Sequence, residues 1–311
     1  MTYSIVVPAH NEEDSLPPLY QALKPVMEGM GKEWELIIVD DGSTDGTLKR
    51  ALELTARDPH VKLIEFRRQF GQTAAWSAGF DKASGDIVIV MDADMQNDPA
   101  DIPAMVQMLD VENLDVVSGW RKERHDKKAL MLGSKIGNLL RRWVTGEKIH
   151  DHGCSLKVYR REALEGLELY GEMHRYITAL MSWKGFRVGE MVVKHHPRKY
   201  GKTKYSIKKK LKGFLDLFVV KFWIQYSARP MHFFGAIGAG FILTGFVLGG
   251  TLGTLWLFRI IGLANRTTPL LAVLMVLLGF QFLLTGVLAD QVAKTYYAEK
   301  KAYTIRKTVG L

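Results

Sequence analysis

Ile87-Val88-Ile89-Val90-Met91-Asp92-Ala93-Asp94-Met95-Gln96-Asn97-Asp98-Pro99 runs five apolar residues straight into alternating carboxylates. The apolar run is short and β-rich, as a fully buried strand requires. Side chains two apart in an extended segment face the same way, so Asp92 and Asp94 read as one seat for a hard cation. Mg²⁺ or Mn²⁺ binds through one or two carboxylates and completes its shell with substrate phosphates, which points to a diphosphate-bearing substrate. On their own, the same residues equally describe an acidic N-cap and a solvated turn before a helix at Asp101. The rest of the chain decides between them.

Upstream the grammar repeats. Ser4-Ile5-Val6-Val7-Pro8 and Trp34-Glu35-Leu36-Ile37-Ile38-Val39-Asp40 are further β-rich runs, and Asp115-Val116-Val117-Ser118 is a weaker one. Helical candidates lie between them at about 15–30, 47–56, 73–83 and 101–109. Strands alternating with helices specify an α/β, Rossmann-like, mostly parallel sheet covered on both faces. Ligands of such sheets bind beyond the carboxyl ends of the strands. Three of those ends carry the polar sets His10-Asn11-Glu12-Glu13, Asp40 to Thr47, and Asp92 to Asp98, which should converge on one site. Asp40 and Asp41 end a strand before a glycine turn, where a carboxylate can accept from a nucleobase N–H or ribose hydroxyls. Asn11 and Glu12 either orient the nucleoside or cap the following helix, and Asp45 before Gly46-Thr47 reads as a cap. The chain has no phosphate-cradling loop of the Walker type, which leaves the diphosphate charge to a metal.

The 311 residues carry a formal net charge of +9 and one cysteine, with a mean hydropathy near zero. That average hides two halves. Neither Met231 to Phe258 nor Thr267 to Ala289 contains Asp, Glu, Lys or Arg, and each is long enough to cross about 30 Å of hydrocarbon as a helix. A buried helical hairpin would satisfy the same lengths, but the charged flanks favour two spans. Lys208, Lys209, Lys210, Lys212, Lys221 and Arg229 precede the first; Lys294, Lys300, Lys301, Arg306 and Lys307 follow the second; the turn between holds Arg259 and Arg266. This bias places the catalytic half and both termini in the cytoplasm, at a cell membrane crossed twice.

Residues 204–229 interleave the lysines with Leu211, Phe214, Leu215, Leu217, Phe218, Val219, Phe222 and Trp223. That is the pattern of helices lying in the interface against anionic lipids, with a soluble amphipathic helix as the alternative. The basic excess therefore has a lipid partner, and nucleic acid is not expected. The expected organisation is 1–203 catalytic, 204–229 juxtamembrane, 230–290 a transmembrane hairpin and 291–311 a basic cytoplasmic tail. Gly235, Gly238, Gly240, Gly245, Gly249 and Gly250 in the first span suit close helix packing or a homo-oligomer interface. Cys154 alone forms no intrachain disulfide, in keeping with a reducing compartment, and the apolar run within Met1 to Glu13 is short for a signal peptide.

Ser4 to Glu13, Val39-Asp40-Asp41-Gly42-Ser43-Thr44-Asp45-Gly46-Thr47 and Asp92-Ala93-Asp94 together resemble the inverting glycosyltransferases of family 2, with their GT-A nucleotide-sugar fold. Four further stretches narrow this: Phe70-Gly71-Gln72-Thr73-Ala74-Ala75, Asp94 to Pro99, Gly153-Cys154-Ser155-Leu156-Lys157, and Arg198-Lys199-Tyr200-Gly201-Lys202-Thr203-Lys204-Tyr205. Ahead of two spans, they resemble the polyprenyl-phosphate glycosyltransferases, a group that includes dolichyl-phosphate mannose synthase, polyisoprenyl-phosphate glucosyltransferases and undecaprenyl-phosphate aminoarabinose transferases. The resemblance implies nucleotide-sugar contacts at Pro8, His10, Asn11, Glu12, Asp40, Asp41, Asp92, Ala93, Asp94, Arg198 and Lys204. It also implies metal and diphosphate contacts at Asp92, Asp94 and Gln96, and an acceptor-phosphate contact at Arg121. Asp92, Asp94 and Arg121 are then the catalytic group, and the basic stretch 198–205 closes over the donor. Mannose synthases place a further Arg four residues before a Ser, whereas Leu130 stands four before Ser134 here. Ser134, Lys135, Arg141 and Arg142 are the candidates for that contact. The resemblance also implies that Asp151 takes an acceptor-side position or supports a neighbouring polar contact; His150-Asp151-His152 with Cys154 fits no zinc spacing.

The chemistry is self-consistent. A phosphate monoester has a second pKa of about 6, so a lipid phosphate needs no strong general base, and Arg121 would offer its oxygens a planar fork. The expected reaction is Mg²⁺- or Mn²⁺-dependent inverting transfer of one sugar from a nucleotide-sugar donor, UDP-glucose first, to polyprenyl phosphate at the cytoplasmic membrane face. GDP-mannose and a UDP-aminoarabinose derivative are alternative donors. A noncatalytic nucleotide-sugar binder that recruits a flippase is the alternative of another class, while a processive polysaccharide synthase needs a larger channel than two spans make.

Overall fold

The computed structural model of the protein describes residues 1–122, 149–169, 171–197, 221–222, 225–227, 229–262 and 267–299. Ser134, Lys135, Arg141, Arg142, Arg198, Lys204, the basic stretch 198–205, most of the juxtamembrane segment and residues 300–311 lie outside them. The chain forms two compact units, Met1–Val220 and Lys221–Leu311.

In the first unit, β1 (Tyr3–Ala9), β2 (Trp34–Asp40), β3 (Val61–Glu65), β4 (Ile87–Val90), β5 (Val116–Trp120), β6 (Lys157–Arg160) and β7 (Val188–Val192) form one sheet in the order β3-β2-β1-β4-β6-β5-β7. β1, β2, β3 and β4 run parallel. β6 is antiparallel to both β4 and β5, and β7 pairs parallel with β5. The helices are α1 (Leu16–Gly29), α2 (Thr47–Arg57), α3 (Gln72–Lys82), α4 (Ile102–Val111), α5 (Arg161–Leu164) and α6 (Ile177–Trp183). Each central strand is buried on both faces, as its continuous apolar sequence demands. Ile5, Val7, Leu36 and Ile38 pack with Leu16, Leu19, Leu23 and Met27 of α1, whose spacing makes one apolar stripe. Val6, Ile37 and Val39 pack on the other face against Ala75 and Trp76 of α3. α3 lies so close to β1 that a Cβ on Gly79 would fall 2.2 Å from Val6 Cγ1.

The inverted direction of β6 matters most for the site. Because it runs against β4 and β5, the segment that precedes it arrives at the rim where those two strands end. Lys157 is in register with Val90 on one side and Ser118 on the other.

The structure adds β3 and β6 to the sequence expectation, and the strand expected to end at His195-His196 before Pro197 is β7, which ends at Val192. β3 and β7 are sheet edges with mixed exposure, so neither carries a continuous apolar run, and the four residues of β6 open on a lysine. β4 is also shorter than its apolar run and ends at Val90. Asp92 and Asp94 therefore lie past the strand rather than alternating along it, with Asp94 in a turn followed by Met95 at φ 61°.

The second unit contains α7 (Pro230–Leu257) and α8 (Thr268–Glu299), both long and apolar enough to cross a membrane. Their apolar windows are largely exposed, unlike the core helices of a water-soluble domain. The two backbones touch: a Cβ on Gly238 would lie 2.7 Å from the Gly279 carbonyl oxygen, and one on Gly245 would lie 2.8 Å from that of Ala272. Gly240 and Gly250 instead face open space, so the glycines of the first span divide between two faces.

Candidate functional site

The first two polar strand ends are sewn together. The Asn11 amide donates to Ser43 Oγ (3.0 Å), the Thr44 amide to Asn11 Oδ1 (2.8 Å), the Glu12 amide to Thr47 Oγ1 (2.7 Å) and the Gly46 amide to Glu13 Oε2 (2.8 Å). Asn11 reaches this geometry at φ 58°, a left-handed conformation that Asn tolerates better than most residues. His10 Nδ1 lies 2.8 Å from the Asp41 carbonyl oxygen. Asp45 accepts from the Thr47 amide (3.0 Å) at the start of α2. A cleft of about 530 Å³ opens here, lined by His10, Asp40, Gly42, Ser43, Thr44 and Leu48 on one side and by Glu65, Phe66, Arg67, Arg68 and Gln69 on the other.

Asp40 and Asp41 separate in role. Asp40 lines the cleft and accepts from Ser43 Oγ. Asp41 turns its carboxylate to the amides of Phe70 (2.6 Å) and Gly71 (2.9 Å). Those bonds anchor the loop leading into α3, and the next residue, Gln72, donates from Nε2 to Asp92 Oδ1 (2.6 Å). Residues 70–72 thus join the ends of β2 and β4, and the three polar ends converge through that link.

At the end of β4, the Gln96 amide donates to Asp94 Oδ1 (3.1 Å). Burial first, and then the charge of Asp94, push the Asp92 carboxyl up to about 6. Two close carboxylates whose joint ionisation is resisted form an oxygen donor set suited to a hard divalent cation. Among the described residues no three His, Cys, Asp or Glu side chains are grouped to hold a metal, so a cation here would need substrate oxygens as well. Ala93 packs its methyl into the core, and Pro8 is half-buried in β1.

Arg121 follows β5 and is gripped by Asp151: Nε donates to Oδ2 (2.7 Å) and Nη2 to Oδ1 (3.0 Å). Asp151 also accepts from the Gly153 amide (3.1 Å). Its own amide and that of His150 donate to Glu190 of β7 (2.8 and 2.9 Å). The fork leaves Nη1 and one Nη2 hydrogen of Arg121 to point elsewhere. Asn97 Nδ2 donates to Ser155 Oγ (2.7 Å), and the nearby Ser155 hydroxyl partly offsets the rise in the Asp92 pKa. The turn 151–155 therefore spans from Arg121 to the carboxylate pair. His195 forms a bridge with Asn97, and the His196 amide donates to the Gln96 carbonyl (2.9 Å). The last described residues before the basic stretch are thus fastened to the Asp94–Pro99 loop.

The cleft wall at Phe66, Arg67 and Arg68, the Gln72 link and the buried Lys157 are not evident from the sequence alone. The paired arginines directly after a β run were the available signal for the wall. Gln72 and Lys157 stood inside motifs already noted, without a task.

The profile of the family "Glycosyl transferase family 2" matches residues 4–167. Dodecaprenyl-phosphate galacturonate synthase of Rhizobium johnstonii is 41% identical over 98% of this chain and 92% of its own length. Undecaprenyl-phosphate 4-deoxy-4-formamido-L-arabinose transferase of Proteus mirabilis is 34% identical over 99% and 94%. Among solved structures, glucosyl-3-phosphoglycerate synthase from Mycobacterium tuberculosis, in complex with Mn²⁺, UDP-glucose and phosphoglyceric acid, aligns with a TM-score of 0.55 at 20% identity. That alignment covers 72% of this chain and 79% of the other. At that identity the likeness establishes the shared fold, and the GT-A expectation holds.

Proposed function

The chain belongs to glycosyl transferase family 2, and from that premise we propose that it moves one sugar from a UDP-linked uronic acid, galacturonate first, to polyprenyl phosphate at the cytoplasmic face of a membrane. That it is a polyprenyl-phosphate sugar transferase follows from its relatives. The donor is the finer step. The relatives act on sugars other than glucose, so the sequence-based preference for UDP-glucose gives way to the galacturonate of the more similar one. An aminoarabinose-type donor is the second reading, favoured by the 34% relative.

The observation that carries the reaction is the placement of the Asp92–Asp94 pair and the Arg121–Asp151 fork at one rim, on either side of β6. The cleft beside Asp40 and Arg68 receives the nucleoside. Asp92 and Asp94, with Gln96 beside them, would hold Mg²⁺ or Mn²⁺; when bound, the cation neutralises charge on the departing diphosphate. Gln72 holds Asp92 in place. Arg121, pre-set by Asp151, presents its remaining N–H groups to the acceptor phosphate, so that aligning the two reactants removes much of the entropic barrier. The lipid phosphate is already deprotonated near neutral pH, and no side chain need act as a strong base. α7 and α8 anchor the enzyme where its acceptor resides, with both termini cytoplasmic.

The test is to supply purified protein with polyprenyl phosphate, Mg²⁺ or Mn²⁺, and in turn UDP-galacturonate, UDP-glucose, a UDP-4-formamidoarabinose and GDP-mannose, then weigh the glycolipid by mass spectrometry. A uronyl phospholipid formed at least tenfold faster than any other product is expected. Product from UDP-glucose or GDP-mannose alone overturns the donor assignment, and no product from any donor overturns the reaction.

A further inference from the structure

Lys157 occupies a position where a strand between two neighbours calls for an aliphatic side chain. It is 1% exposed and in register with Val90 and Ser118. Among the described residues its ammonium makes one hydrogen bond, to the Cys154 carbonyl, and it lies 5.8 Å from the centroid of the Trp76 ring. Among the described residues the Ser118 hydroxyl and Trp76 Nε1 beside it have no hydrogen-bond partner. A sealed ammonium with so few bonds is a costly choice, and departures of this kind gather where a site needs them.

Its single bond has leverage. Cys154 sits within the turn whose Asp151 holds Arg121 and whose Ser155 accepts from Asn97 Nδ2 in the Asp94–Pro99 loop. The ammonium grips that turn from beneath, between its two functional ends. Resting on the transferase reading above, we propose that Lys157 is a positioning residue. Through the Cys154 carbonyl it holds the 151–155 turn so that the Asp151–Arg121 fork presents the acceptor phosphate in line with the donor.

The test compares Lys157→Met, Asp151→Asn and the double variant with wild type in detergent-solubilised full-length protein. Lys157→Met should raise the acceptor KM and lower kcat by about 10- to 100-fold, as supporting residues behind a site commonly do. The donor KM, UDP affinity and thermal midpoint should stay close to wild type. With Asp151 already changed, the lysine substitution should cost less than threefold more. Parallel loss of donor and acceptor affinity, additive losses in the double variant, or unchanged kinetics overturn the proposal. If Lys157→Met does not fold, Lys157→Arg decides. Retained charge should keep acceptor KM and kcat within about threefold, whereas a folded arginine variant impaired only in donor binding, or failure of both variants to fold, overturns it. Wild-type turnover in the same assay separates this outcome from failure of the transferase reading itself.

Discussion

Asp92 and Asp94 are held differently. Asp92 is steadied by Gln72 from α3, whereas Asp94 is 6% exposed and accepts from an amide of its own turn. Asp94→Ala should therefore leave the fold intact while lowering transfer more than 100-fold, with cation binding by isothermal titration weakened in step. Since burial and Asp94 push the Asp92 carboxyl up to about 6, its proton competes with the cation below that value. Cation affinity should be flat above about pH 7 and fall roughly tenfold per unit below 6, a trend that titration at several pH values would read. Arg121→Lys should keep the charge and lose the fork, raising acceptor KM about tenfold or more with donor KM unchanged in initial-rate assays. Asp92 and Asp94 stood out in the sequence by type and short spacing, whereas Arg121 was singled out through the family resemblance alone. Lys157 did not stand out, since a lysine in a polar-looking stretch reads as surface until its strand is known to be inserted between two others.

The same distinction operates for whole elements. β1, β2 and β4 announced themselves as continuous apolar runs because both their faces are covered. β3 lies at an edge, where one partner is missing and polar residues are tolerated, so its composition resembled a loop. The cleft beside Asp40 was lost with β3, since Phe66 to Gln69 become its wall only once that strand pairs beside β2. α7 and α8 were visible from length and the absence of charge, but which glycines meet the partner helix depends on rotation about the axis. Gly238→Val would drive a methyl-bearing carbon against the Gly279 carbonyl and should destabilise the hairpin by about 1–3 kcal/mol. Gly250→Val, facing open space, should change it by less than about 0.5 kcal/mol. Thermal unfolding in detergent of the two variants, side by side, checks the pair.

For the molecule as a whole, a two-unit chain with basic residues on both flanks of its apolar hairpin has a definite expected orientation. Cysteines introduced at Arg259, in the turn after α7, and at Lys294, near the end of α8, should label from opposite sides of intact cells or sealed vesicles. Modification of the first from outside and the second only after permeabilisation is the expected result, and the reverse would invert the enzyme. The native thiol assists here. Cys154 is 1% exposed, and burial pushes its pKa up, so maleimides and spin labels should pass it by. The wild-type chain is thereby already a silent background for single-site spectroscopy, and every probe attached to it would report from one known address.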